Sequence, residues 1–152
     1  MPLILAAGNL LRKDDGIGPE LLQRLRQETL PEGTTLRDIG TDGFSLIDLV
    51  QEADRVLLID AVNMAQPVGT AKLFFPRDVK FICKGDALST HGIGLADVIN
   101  LMEGLNGALP KNLTIMGIQP KKLGHGNGLS VELQMRLDEY IGKIKTWVEE
   151  AA

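Results

Sequence analysis

The chain has 152 residues, 44% of them hydrophobic, which suits one soluble domain with a real core. Its 20 acidic and 16 basic residues give a net charge of −4, and aromatics make up only 4%. That balance supplies neither the basic patch nor the stacking platform of a nucleic-acid binder.

Met1 to Ala7 is apolar, but Gly8-Asn9 and Arg12-Lys13-Asp14-Asp15 follow at once. The run is too short to span a membrane and has no basic segment before it, so it reads as a strand rather than a signal. The one cysteine, Cys83, cannot form an internal disulfide, which suits a reducing compartment. We therefore expect a cytoplasmic protein without membrane insertion, folded as a single domain over residues 1–152.

In chain order, Leu3 to Ala7 forms a buried-strand run closed by Gly8-Asn9. Pro19, a residue suited to the first helical position, opens a helix whose apolar face is Leu21, Leu22 and Leu25. Thr34 to Ile39 reads as a second strand, ended by Gly40-Thr41-Asp42-Gly43, and Phe44 to Val50 as a short helix. Val56 to Ile59 is a buried strand running into Asp60. Thr70 to Phe75 is a strand ended by Pro76, a residue that points to a sheet edge. Ser89-Thr90-His91-Gly92 precedes a helix near Leu95 to Leu105. Leu113 to Ile118 is the last strand. Ser130 then caps one long helix with Val131, Leu137, Ile141, Ile144 and Val148 on its apolar face. Apolar strands alternating with helices predict an α/β three-layer sandwich: a mostly parallel sheet covered on both faces.

In such sheets, sites form outside the carboxyl ends of the strands, where strand order switches. Three polar groups fall there: Asn9 to Asp15 after strand one, Asp60 at the end of strand three, and His91 before a helix. Converging on one exposed rim, two carboxylates and an imidazole suit a borderline divalent ion such as nickel, zinc, manganese or iron. Three protein ligands leave positions open for another molecule. Taken singly, each has a plainer reading. Asp60 and Asp14-Asp15-Gly16 read as turn or cap residues, and His91 as an exposed loop histidine. Other candidates are weaker. Cys83 has no peptidase context and reads as inert, and Ser45 and Ser89 lack a nucleophile-elbow pattern. Gly8, Gly16 and Gly18 match neither the dinucleotide nor the P-loop spacing. Gly124-His125-Gly126-Asn127-Gly128 reads as a loop in which His125 could touch a substrate.

Five stretches, in order, resemble the nickel–iron hydrogenase maturation endopeptidases. They are Ala7-Gly8-Asn9-Leu10-Leu11-Arg12-Lys13-Asp14-Asp15-Gly16-Ile17-Gly18, Asp38-Ile39-Gly40-Thr41-Asp42-Gly43, Leu58-Ile59-Asp60-Ala61-Val62, Ser89-Thr90-His91-Gly92-Ile93-Gly94-Leu95-Ala96-Asp97-Val98 and Met116-Gly117-Ile118-Gln119-Pro120. The chain departs from the family pattern at Ala6, where many members have glycine, and at Asp15, where some have glutamate. The resemblance implies a twisted sheet of about five strands with one antiparallel edge. It also implies a partner, the large-subunit precursor of a [NiFe] hydrogenase, whose C-terminal extension is removed after nickel insertion. The family's metal-contacting positions fall on Asp15, Asp60 and His91. Its second acidic motif falls on Asp38, as a base or a loop-orienting group. The nickel belongs to the substrate, so neither an organic cofactor nor a tightly bound metal is expected, and the protein is expected to act as a monomer. Two other readings stay open: a chaperone that grips the nickel site without cutting, and a metallopeptidase with its own zinc, although His-Glu-x-x-His is absent.

Overall fold

A computed structural model describes residues 1–84, 94–121 and 125–150. Among them, five strands form one sheet: β1 (Pro2–Ala7), β2 (Thr35–Gly40), β3 (Arg55–Ala61), β4 (Ala71–Phe74) and β5 (Leu113–Ile118). The order is β2-β1-β3-β5-β4. All pairings are parallel except β4 with β5, so the Pro76-terminated strand is the antiparallel edge, as expected.

Successive strand residues face opposite layers. Leu3, Leu5, Val56, Leu58, Leu113 and Ile115 pack on one face against α2 (Ser45–Leu49), α3 (Val79–Ile82) and α4 (Leu95–Asn106). Ile4, Ala6, Leu57, Ile59, Met116 and Ile118 pack on the other against α1 (Ile17–Leu25), α5 (Val131–Gln134) and α6 (Leu137–Glu149). Both faces are thus buried, which explains why these strands read as continuous apolar runs.

Helix α1 lies very close to the sheet. A Cβ on Gly18 would stand 2.5 Å from the Ala7 carbonyl oxygen and 3.0 Å from that of Ile59. Pro19 is the third residue of α1 rather than the first. It remains within the first turn, where a backbone N–H has no intrahelical partner to lose.

The single C-terminal helix expected from Ser130 is corrected to two. The chain breaks at Met135-Arg136, where Arg136 leaves helical geometry at φ −112° and its N–H reaches back only to Leu133 O. Val131 is 64% exposed, and Leu133 takes the buried position instead. Ser130 makes no side-chain cap on α5, because its hydroxyl is committed to Asp14. No helix of the described residues is long and apolar enough to cross a membrane.

Candidate functional site at the carboxyl ends of β1 and β3

Strand β1 lies between β2 and β3, and its crossover helix α1 covers one face while α2, following β2, covers the other. The strand order therefore switches at β1, and the crevice opens at the carboxyl ends of β1 and β3. Asp15 and Asp60 both lie there.

Asp60 is the sixth residue of β3, paired in register with Gly117. It shares a face with Leu58 and lines a tight cavity of about 20 Å³ with Ile39, Leu46, Leu95 and Val98. Asp15 reaches the rim differently. After β1 the chain turns through Asn9, whose Oδ1 accepts the Leu11 N–H, and enters a short 3₁₀ turn, Lys13–Gly16. Asp15 Oδ2 then accepts the Asn9 N–H at 3.0 Å. This fold-back needs Gly8 (φ +135°), because a Cβ there would fall 2.0 Å from the Asp15 carbonyl oxygen. The turn also packs against β3. Asp15 thus follows the carboxyl end of β1 while Asp60 lies near that of its parallel neighbour β3.

The expectation of an exposed rim needs correction. Asp15 is 1% exposed and Asp60 7%, and Leu95 and Val98 of α4 lie over the Asp60 cavity. His91 lies outside the described residues, as does Ser89. The described flanks of its segment are at this rim: Leu95 lines the Asp60 cavity, and Lys84 is tied to the loop after β3. The Lys84 N–H donates to Asn63 O at 2.8 Å, and Asn63 Nδ2 donates to Lys84 O at 3.1 Å.

Asp38 is held apart from Asp60. It pairs in register with Ala6, which faces the α1 layer, and it alternates with Ile39, which faces the α2 layer. Asp38 and Asp60 therefore project to opposite faces of the sheet. Asp38 Oδ1 accepts the Gly40 N–H at 2.7 Å, and Gly40 O accepts the Gly8 N–H. Asp38 thus shapes the turn that holds the end of β1. His125 is exposed beside Gly126, whose backbone exchanges bonds with Leu11 and Lys13.

Cys83 sits near the site but is not activated. Burial pushes its thiol up to about 11, and the nearby Asp60 carboxylate adds to the rise.

Two supporting residues were missed from sequence. Gln119 is 8% exposed; its Oε1 accepts the Met64 N–H at 2.6 Å and its Nε2 donates to Asn63 Oδ1 at 3.2 Å. It thereby braces the loop that anchors Lys84. Asp14, fully buried, accepts bonds from Lys121 and Ser130. Both lay inside quoted motifs, but nothing in their spacing separates a brace from a ligand.

This fold is a doubly wound α/β sheet with two buried carboxylates, Asp15 and Asp60, beside the switch point. The profile of the hydrogenase maturation proteases matches residues 19–147. The hydrogenase expression/formation protein HoxM of Azotobacter vinelandii is 36% identical over 122 residues, 80% of this chain but 58% of that protein. The hydrogenase 2 maturation protease of Escherichia coli K12 is 28% identical over 98% of this chain and 91% of its own length. The solved structure of the hydrogenase maturating endopeptidase HybD from E. coli superposes with a TM-score of 0.82 at 27% identity, covering 99% of this chain and 93% of that one. The chain belongs to the hydrogenase maturation protease family.

Proposed function

We propose that the protein is an endopeptidase that removes the C-terminal extension of a nickel-loaded [NiFe] hydrogenase large-subunit precursor. Membership of a family of proteases supports the peptidase reading. What supports the site is that Asp15 follows the carboxyl end of β1 and Asp60 lies near the end of β3, two adjacent parallel strands, and that both are buried. On this reading the precursor's thiolates hold the nickel, and Asp15, Asp60 and His91 engage its open positions. Cleavage is thereby coupled to metal loading, and the scissile amide is held near the rim by the same contact. Asp38 orients the turn at the end of β1, in keeping with its bond to Gly40. The free protein holds no tight metal of its own.

The test is incubation with nickel-loaded and nickel-free precursor, read by intact mass. Loss of a C-terminal fragment from the loaded form alone is expected. Binding of the loaded form with no change in mass would replace the peptidase with a non-cutting chaperone. Equal cleavage of both forms, with one zinc per chain surviving dialysis, would replace it with a self-sufficient metallopeptidase.

A further inference from the structure

Asp14 stands next to Asp15 but is used quite differently. It is 0% exposed, and its carboxylate gathers the segment between β5 and α5. Oδ1 accepts the Ser130 N–H at 2.6 Å, while Oδ2 accepts the Lys121 N–H at 2.7 Å and the Ser130 hydroxyl at 2.9 Å. The same two segments are joined again one step earlier, where Lys13 N–H donates to Gly126 O and Gly126 N–H to Leu11 O, each at 3.0 Å. Lys13 is held at φ +53°, a conformation that costs a non-glycine residue energy.

Burying a carboxylate is costly unless it is fully hydrogen-bonded. A mere joint between two loops could be made with neutral groups. What the charge adds is short, strong and directional bonding. In a 3₁₀ turn successive side chains point about 120° apart. Pinning Asp14 toward Ser130 therefore fixes the direction of Asp15, whose Oδ2 is turned back to the Asn9 N–H. We infer that Asp14 is a positioning residue for the reaction proposed above, acting through Asp15, with Ser130 and the Lys121 amide as its anchors. This inference rests on the peptidase reading for its kinetic consequence but not for its structural one.

The test compares Asp14→Asn and Ser130→Ala with wild type and with Glu139→Gln, a surface control in the Arg136 ion pair. Supporting partners of this kind change activity by about 10- to 100-fold when removed. Asp14→Asn should lower kcat on nickel-loaded precursor within that range while KM moves less than about twofold, and Ser130→Ala should fall between it and wild type. Hydrogen exchange of the Asn9 amide should speed up in the same order and stay unchanged in the control. If the variants melt earlier but keep the wild-type kcat and Asn9 exchange rate, Asp14 is only a loop joint and the inference is overturned. If wild type itself does not cleave, the peptidase reading fails, and the Asn9 exchange rates still decide whether Asp14 positions Asp15.

Discussion

Asp60 and His91 carry different mechanical demands on the proposed reading. Asp60 belongs to a central strand with β1 on one side and β5 on the other, so its carboxylate is set by the sheet itself. His91 comes from the segment between Lys84 and Gly94. We predict that Asp60→Asn and His91→Ala each abolish or greatly slow precursor processing. Asparagine matches the volume of aspartate, so Asp60→Asn should leave no cavity and melt near the wild-type temperature. A residue serving only as a turn or cap would instead cost about 1 kcal/mol of stability with cleavage retained. Precursor cleavage beside thermal melting separates the two outcomes. Wild-type processing by folded His91→Ala would remove the metal-sensing role from His91.

At the scale of elements, the contact between α1 and the sheet controls the site, because α1 follows directly from the Asp15 turn. Gly18 is what permits that contact. An alanine Cβ would press on the carbonyls of Ala7 and Ile59, which the sheet cannot move cheaply. Overpacking costs about 1–3 kcal/mol, against about 1 kcal/mol gained from alanine's better helix propensity. Gly18→Ala should therefore destabilise the protein by up to about 2 kcal/mol in urea unfolding. Gly142→Ala in α6 meets nothing within 4 Å and should stabilise it by up to about 1 kcal/mol. If both changes have the same sign, the close approach of α1 does not matter energetically. The strands and α1 were readable from sequence because burial writes itself into apolar periodicity. The Lys13–Gly16 turn and α3 (Val79–Ile82) were not, since neither is long enough to show a period. The break at Arg136 was hidden because Leu137, Ile141, Ile144 and Val148 continue a regular face past it. Asp14 read as a turn residue because its partners, Lys121 and Ser130, are over a hundred positions away.

At the scale of the whole molecule, the sheet separates two cores, and among the described residues each holds a group that resists losing its proton. On the α4 side, Cys83 is raised from 9.0 to about 11, chiefly by burial. On the α6 side, Tyr140 is raised from 10.0 to about 12, also chiefly by burial, with the Arg136 charge working against the rise. Tyr140 donates its hydroxyl proton to Gly69 O at 2.6 Å, a bond that the phenolate could not make. The sign of the pH effect follows from linkage. From pH 9 to 12 the unfolded chain has shed protons that the folded chain keeps, so stability falls as pH rises. Below about pH 8 both groups are largely protonated in either state, and these two groups contribute almost no slope. Melting temperature measured from pH 8 to 11 should accordingly be flat at first and then decline. Cys83→Ala should remove the earlier part of the decline, because it deletes the group that titrates first in the unfolded chain. It should also abolish the slow alkylation expected of wild type, whose thiolate fraction near pH 8 is about 100-fold below that of an unperturbed thiol. Tyr140→Phe should remove the later part but start from a less stable protein, since it leaves the Gly69 carbonyl without its donor at a cost of about 1–3 kcal/mol. An alkaline decline identical in all three proteins would mean that neither buried proton governs stability in this range.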